Sequence, residues 1–282
     1  MKRILGIFTC FNRREKTLKC LASLQSQNES LDFRFLAVDD NSRDGTAKAL
    51  EAWPEVTVIH GSGNLYYTGG MRVGIQRAKE LGEAYDYVLL FNDDVEFYPH
   101  AVERLADLAE SEGPIDAGKK NGTILVGAAC DRKGNLSYGG IKKKSRFRPS
   151  FQIMMGGQGR EFCDTFNANC VLIPWNIFRT GPDMDGHYRH SLGDFAYGLQ
   201  LREQGNVIAV SDFFVGICED NPPDGTWRDP HLSRRERLRL KEQPKGLPAG
   251  EWFYFIRNYF GFFSACVYTA VPYIKIMLGR PT

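Results

Sequence analysis

Along the first half of the chain, short continuous apolar runs alternate with longer stretches whose apolar residues recur every three or four positions. The first pattern predicts strands and the second predicts helices, and their alternation predicts a parallel sheet covered on both faces. The expected strands are Arg3 to Thr9, Phe33 to Val38, Val56 to Ile59 and Tyr87 to Phe91. The expected helices run from about Arg14 to Gln27, from Asp44-Gly45-Thr46 to Trp53, and from Gly69 to Leu81 with Met71, Ile75 and Ala78 on one face. No repeat or low-complexity segment interrupts this order. The second half is less regular, and it ends in an aromatic-rich, charge-poor stretch from Glu251 to Leu278.

Composition narrows the function classes without naming one. The 282 residues are 43% hydrophobic and 25% charged, as expected of a globular enzyme with a large core. A net charge of +2 gives no reason to expect nucleic acid as a partner. Seven scattered cysteines without a Cys-x-x-Cys pair predict neither a zinc site nor a disulfide framework. They point to a reducing, cytoplasmic compartment. The apolar start is too short for a signal peptide and reads as a first strand.

Chemistry concentrates where the expected strands end, which is where open α/β sheets bind ligands. The fourth strand runs into Asn92-Asp93-Asp94. Adjacent carboxylates repel unless a cation lies between them, and oxygen-only ligands favour Mg2+ or Mn2+ bound together with substrate phosphates. A polar turn would carry the same letters. The segment Phe8 to Arg13 lacks the glycine fingerprint of dinucleotide binders and offers Thr9, the backbone around Phe11, and Arg13 to a ligand. Asp39 and Asp40 follow the second strand, where an acid can accept hydrogen bonds from a ribose or a base. Asp44 reads as a helix cap. Gly61-Ser62-Gly63-Asn64 and Gly69-Gly70 permit close backbone approach to a phosphate or sugar.

Five blocks in this order resemble family-2 glycosyltransferases. Val38 to Thr46 is similar to their nucleotide-binding segment, Gly63-Asn64 with Gly69-Gly70 to their next block, and Asn92-Asp93-Asp94 to their Asp-x-Asp metal motif. Asn167 to Pro174 resembles their acceptor-side strand, and His190 to Arg202 their catalytic Glu-Asp-x-Asp helix. The blocks span roughly residues 3 to 210. The resemblance implies a GT-A-like, mostly parallel α/β sheet flanked by helices over residues 1–215, with a nucleotide-sugar half to about residue 98 and an acceptor half beyond it. A helical, aromatic-rich segment follows over residues 216–282.

The same resemblance implies the roles. Thr9, Phe11, Arg13, Asp39, Asp40, Asn64, Gly69, Gly70, Arg72, Asn92 and Asp93 fall in donor-binding blocks. Asn169, Trp175 and His190 fall on the acceptor side, and Asp94 is the expected ligand of Mn2+ or Mg2+. Two departures stand out: Asn92 replaces the first acid of the metal motif, and Gly193 and Ala196 replace two acids of the catalytic helix. Asp194 is then the sole carboxylate left to act as catalytic base. A C-terminal histidine often completes the metal site in related enzymes, and Val207 to Gly216 contains none. Asp212, Glu219 or His231 are the substitutes at hand, and Asp93 is a candidate ligand beside Asp94.

The expected function is metal-dependent, inverting sugar transfer from a dTDP- or UDP-sugar to a glycan or lipid-linked acceptor in surface polysaccharide synthesis. A sugar-phosphate nucleotidyltransferase and a non-catalytic carbohydrate-binding relative are the alternatives. The basic clusters Lys142 to Arg148 and Arg234 to Lys241, with the aromatic tail, suggest a peripheral position at the inner face of a membrane or a homodimer contact. Packing against the catalytic domain would explain the tail equally well.

Overall fold

The computed structural model describes residues 1–25, 27, 30–111, 122–157, 161–220 and 222–280. It begins as the pattern requires: β1 (Lys2–Cys10), α1 (Arg14–Gln25), β2 (Leu31–Asp39), α2 (Thr46–Leu50), β3 (Val56–His60), α3 (Tyr66–Lys79) and β4 (Tyr87–Phe91). A short β5 (Glu96–Phe97) and α4 (Ala101–Ser111) lead to β6 (Thr123–Cys130), β7 (Leu136–Tyr138), β8 (Gly140–Lys143), β9 (Phe151–Met154), β10 (Glu161–Phe162) and β11 (Thr165–Phe166). Then come β12 (Cys170–Pro174), α5 (Trp175–Thr180), α6 (Gly193–Glu203) and β13 (Val207–Ile217). Three helices close the chain: α7 (Arg234–Lys241), α8 (Ala249–Phe260) and α9 (Phe262–Met277).

The main sheet has the order β10-β13-β6-β12-β4-β1-β2-β3, with β5 on β13 and β7 on β6. Strands β3, β2, β1 and β4 are parallel, as are β6 and β13, whereas β12 runs antiparallel to both β4 and β6. The reversal matters for function. It brings the start of β12, not its end, to the rim where β4 ends, and Cys170 pairs with Phe91 there.

The continuous apolar runs are continuous because both faces are covered. In β4, Leu89 and Phe91 join a core with Cys20, Leu21 and Leu24 of α1. Val88 and Leu90 face the other way, onto Met71, Ile75 and Ala78 of α3. Helix α3 presses closely on β1. A Cβ at Gly74 would lie 2.7 Å from the Ile7 Cγ2, and one at Gly70 would lie 2.3 Å from the Thr9 Oγ1. The three-stranded sheet β11-β8-β9 was not legible in the sequence, whereas the third core is the packing against the catalytic domain that the sequence left open for the tail. In that core Tyr188, Ala196 and Leu199 pack on Phe255, Ile256, Phe260 and Ala265. Helices α8 and α9 therefore share a core with α6.

Candidate active site

The ends of β1, β2 and β4 and the start of β12 meet at one rim, and most of the acids there already have protein partners. Asp39 is buried and accepts from the Ser42 N–H at 2.9 Å. Asp40 accepts from the N–H groups of Gly63, Leu65 and Tyr66 at 2.7, 2.9 and 3.1 Å, so it fastens the loop that starts α3. Asp44 accepts from the Arg14 and Thr46 N–H groups at 2.9 and 3.1 Å, one residue before Gly45, which is the N-cap of α2. Asn12 spans the tips of β1 and β2: its Oδ1 accepts from the Arg43 N–H, and its own N–H donates to the Ser42 hydroxyl.

The start of α3 is equally committed. Its first N–H groups are taken by Asp40, by the His190 Nδ1 (from Tyr67, 3.4 Å) and by the Arg189 carbonyl (from Thr68, 3.1 Å). A phosphate would find no free donors at this helix end. Gly70 serves helix-to-strand packing on Thr9, whose hydroxyl donates to the Val38 carbonyl. Arg72 leads away, against Gly186. Phe11 and Asn64 remain exposed on the rim.

The strand-end acids divide in two. Asp93 is buried, with Thr17 donating to Oδ2 at 2.9 Å and Arg13 to Oδ1 at 3.1 Å. Burial raises its pKa, and the Arg13 guanidinium opposes that shift. Asp94 is partly exposed and shares the same Arg13 nitrogen at 2.9 Å. Within the protein, Arg13 supplies a positive charge to both acids. The other Asp94 oxygen faces the Cys218 thiol at 3.7 Å, which Asn169 Nδ2 also approaches at 3.2 Å. Burial, then Asp94, pushes Cys218 up to about 12, so it is a neutral donor.

These residues fit a hard divalent cation that also takes oxygens from substrate. Asn92 Oδ1 is buried and has no hydrogen-bond partner among the described residues, beside the accessible Asp94 carboxylate. Ions such as Mg2+ are held by one or two protein oxygens plus phosphates rather than by a protein cage. Among the described residues no three His, Cys, Asp or Glu side chains form a group that could hold a metal. His231 is in a local turn, its N–H on Asp229 at 2.8 Å, and Glu219 is paired with Arg132.

Asp194 lies in the first turn of α6, after Leu192 in a left-handed conformation. Its carboxylate accepts from the Ala168 and Phe195 N–H groups at 3.2 and 2.8 Å. Desolvation nevertheless dominates and raises its pKa to about 6. Gly193 explains one departure from the family pattern: a Cβ there would lie 2.2 Å from the Thr68 Oγ1. The starts of α3 and α6 interlock at this point, with Thr68 Oγ1 donating to the His190 carbonyl at 3.1 Å. No side chain fits between them.

Neighbouring residues join the two acidic ends. Ala168 holds Asp194, while the next residue, Asn169, receives the Asn92 N–H on its carbonyl and reaches Cys218, which faces Asp94. His190 packs edge-on against Tyr66 and Tyr67. Burial, aided by Lys245 and Arg13, lowers it to about 4, so the ring is neutral, with Nδ1 accepting and the proton on Nε2. Trp175, expected on the acceptor side, lies away from this site. Because β12 is antiparallel to β4, it carries Trp175 to the opposite rim, where its N–H meets the Asp86 carbonyl and its ring packs on Tyr85 and Phe178.

Three contributors escaped the sequence reading. Tyr67 has a buried hydroxyl without a partner among the described residues, raised by burial and then by Asp194 and Asp94. Cys218 and Lys245 arrive from distant segments. For Tyr67 the adjacent Asn64 to Gly70 block was a signal; for the other two no local pattern exists.

Residues 7–133 match the model of the family described as Glycosyl transferase family 2. Among solved structures, the mannosyltransferase PcManGT from Pyrobaculum calidifontis, in complex with GDP-Man and Mn2+, is similar with a TM-score of 0.57. The match covers 99% of this chain and 74% of that one at 11% identity, a likeness of fold. No curated protein matches the sequence at a significant level.

Proposed function

From a glycosyltransferase family 2 domain over residues 7–133 within a GT-A-type fold, we propose that this enzyme moves a sugar from a nucleotide-sugar donor to a hydroxyl acceptor, with inversion at the anomeric carbon. The observation that carries this reading is Asp194: a desolvated carboxylate with a pKa raised to about 6, joined through Ala168 and Asn169 to the acid-rich end of β4. A carboxylate in that range is ionised at neutral pH and still basic enough to accept a proton in the transition state.

The chemistry then divides between two sides. On the donor side, the bond from the anomeric carbon to the diphosphate breaks and negative charge grows on the leaving phosphate. Arg13 is 40% exposed and can turn N–H groups toward that charge. Asn92 and Asp94 would hold a divalent cation, Mn2+ or Mg2+, which offsets the same charge when bound. Exposed Phe11 offers a flat face to the base, and the neutral His190 offers an Nε2 proton to a sugar hydroxyl. On the acceptor side, Asp194 takes the hydroxyl proton as the new carbon–oxygen bond forms. A base facing the side opposite the leaving group gives one in-line displacement, hence inversion. The acceptor is a glycan or lipid-linked sugar, the donor a dTDP- or UDP-sugar, and the setting cytoplasmic surface-polysaccharide assembly.

A panel of nucleotide sugars tests this by thermal shift with Mn2+. At least one UDP-, dTDP- or GDP-sugar is expected to raise the midpoint, by about 2.7 kcal/mol of stabilisation at a hundredfold excess over Kd. No response to any nucleotide sugar, with a response to a nucleoside triphosphate and a sugar phosphate, would instead favour nucleotidyl transfer.

A further inference from the structure

Helix α9 buries only part of its apolar surface. Ala265 and Ile276 pack inward, while Phe262, Phe263, Val267, Ile274, Met277 and Leu278 are each more than half exposed, Phe263 at 86%. Residues 263, 267, 274 and 278 recur at helical spacing, so they form one continuous outer stripe, flanked by 262 and 277. Contiguous exposed apolar surface of this kind marks an interaction face. Among the described residues no helix is long and apolar enough to cross a membrane. The sixteen residues of α9 span about 24 Å at 1.5 Å per residue, and Pro272 interrupts them.

Charge selects the partner. From Trp252 to the end of the chain there is no Asp or Glu, whereas Arg257, Lys275 and Arg280 are present. Helix α7 packs beside α9, and its five basic residues divide by face. Arg237 and Lys241 are buried: Arg237 donates to the Trp227 carbonyl, and Lys241 donates to the Leu247 carbonyl and lies over the Tyr273 ring. Arg234, Arg235 and Arg239 are exposed, with the Arg234 guanidinium close to Gly279. Beside the stripe, Val271, Ile274 and Leu278 wall a recess of about 240 Å³ whose other lining residues are Lys275 and Arg280. The nearby acids are already engaged, Glu242 by the Tyr273 hydroxyl and Lys241, and Glu236 by the Ser233 cap of α7, and an apolar stripe edged by cations fits an anionic amphiphile. A two-fold dimer through this face would present the same cation-rich surface from both copies, whereas an anionic bilayer supplies the opposite charge to Lys275, Arg280 and Arg234.

We propose that α9 lies in the interface of an anionic lipid bilayer, its outer stripe among the acyl chains and the exposed arginines of α7, with Lys275 and Arg280, at the level of the lipid phosphates. This goes beyond the proposed sugar transfer and stands independently of the donor site.

The test is co-sedimentation of the full chain with vesicles of phosphatidylcholine and phosphatidylglycerol in equal parts, against vesicles of phosphatidylcholine alone. Binding to the anionic vesicles is expected to exceed binding to the neutral ones by at least about tenfold and to fall at high salt. Phe263→Glu changes a residue that stands in solvent, so the fold and nucleotide-sugar affinity should be unchanged while vesicle binding drops at least about tenfold. The double change Arg234→Glu with Arg235→Glu should also weaken binding. Wild-type protein that stays in the supernatant overturns the proposal, as does Phe263→Glu protein that binds equally well. A dimer in solution that Phe263→Glu converts to monomer would assign the face to a second copy instead. Vesicle binding without affinity for any nucleotide sugar would leave this inference intact and remove the proposed function.

Discussion

Replacing Asp194 by asparagine is expected to slow sugar transfer on the order of a hundred- to ten-thousand-fold, the usual cost of losing a general base. Asparagine keeps the size and can still accept from the Ala168 and Phe195 N–H groups that hold the native side chain, but it cannot take a proton. Donor affinity should survive, because Arg13, Asn92 and Asp94 are untouched. In the native enzyme the rate should fall about tenfold per pH unit below about 6, as Asp194 protonates. Single-turnover rates and donor affinity, measured in parallel, check both statements. Near-native transfer would place the base elsewhere, and an equal loss of donor affinity would place Asp194 in the donor site.

The same substitution should raise the melting temperature. Asp194 has a folded pKa of about 6 against an ordinary value of 3.8, so between these values the native state binds more protons than the unfolded one. Its stabilising contribution is present at low pH and is lost as pH rises through about 6. At neutral pH the buried charge costs stability, and asparagine removes that cost. His190 acts in the opposite sense: its folded pKa of about 4 lies below 6.5, so its contribution is present above 6.5 and is lost as pH falls toward 4. In the native protein the two slopes oppose one another in the overlapping range. Asp194→Asn should expose the His190 slope, with stability falling on acidification from about 6.5 to about 4.

Asp94→Ala is expected to abolish the gain in nucleoside diphosphate affinity that Mn2+ confers, a gain of at least about tenfold or 1.4 kcal/mol. The fold should tolerate it, since Asp94 is partly exposed and its partners, Arg13 and Cys218, have others in Asp93 and Asn169. Metal-free affinity should hold or rise, because Arg13 loses one carboxylate and is freer to meet a phosphate. Asp93→Ala should behave differently. It empties a buried site that joins α1 to β4 through Thr17 and Arg13, so its main effect should be on stability. Calorimetry with and without Mn2+ separates the two variants. An Mn2+ increment that persists in Asp94→Ala would remove the cation from this strand end.

The parallel half of the sheet was legible because its signals are local. Val88 to Phe91 are apolar without interruption since both faces of β4 meet helices, and Met71, Ile75 and Ala78 declare the inner face of α3 at helical spacing. Asp44 was legible as a partner of a helix start, although Gly45 is the N-cap of α2. Less legible was how the other rim acids are used. Asp40 looks like a ligand in the sequence, but it holds three backbone N–H groups of the loop before α3. Which of two adjacent acids faces inward depends on what packs behind them, here Thr17 for Asp93. Trp175 was misplaced because strand direction is a tertiary property: an antiparallel β12 sends its far end away from the rim. Helix α3 starts at Tyr66 rather than Gly69 because Asp40 and His190 supply partners for its first N–H groups. Cys218 and Lys245 lie far from every recognisable block and reach the site only through β13 and the turn after α7. The aromatic tail likewise resolved into two opposite faces, one packed on α6 and one exposed.

The measurement that bears most directly on the central claim is proton NMR of the transfer reaction itself, with the donor identified by the thermal-shift panel and an acceptor sugar. The account predicts release of one nucleoside diphosphate per glycosidic bond formed and a product anomer opposite to that of the donor, with both signals lost together in Asp194→Asn. A product of retained configuration, or release of pyrophosphate from a nucleoside triphosphate in place of transfer, would contradict it.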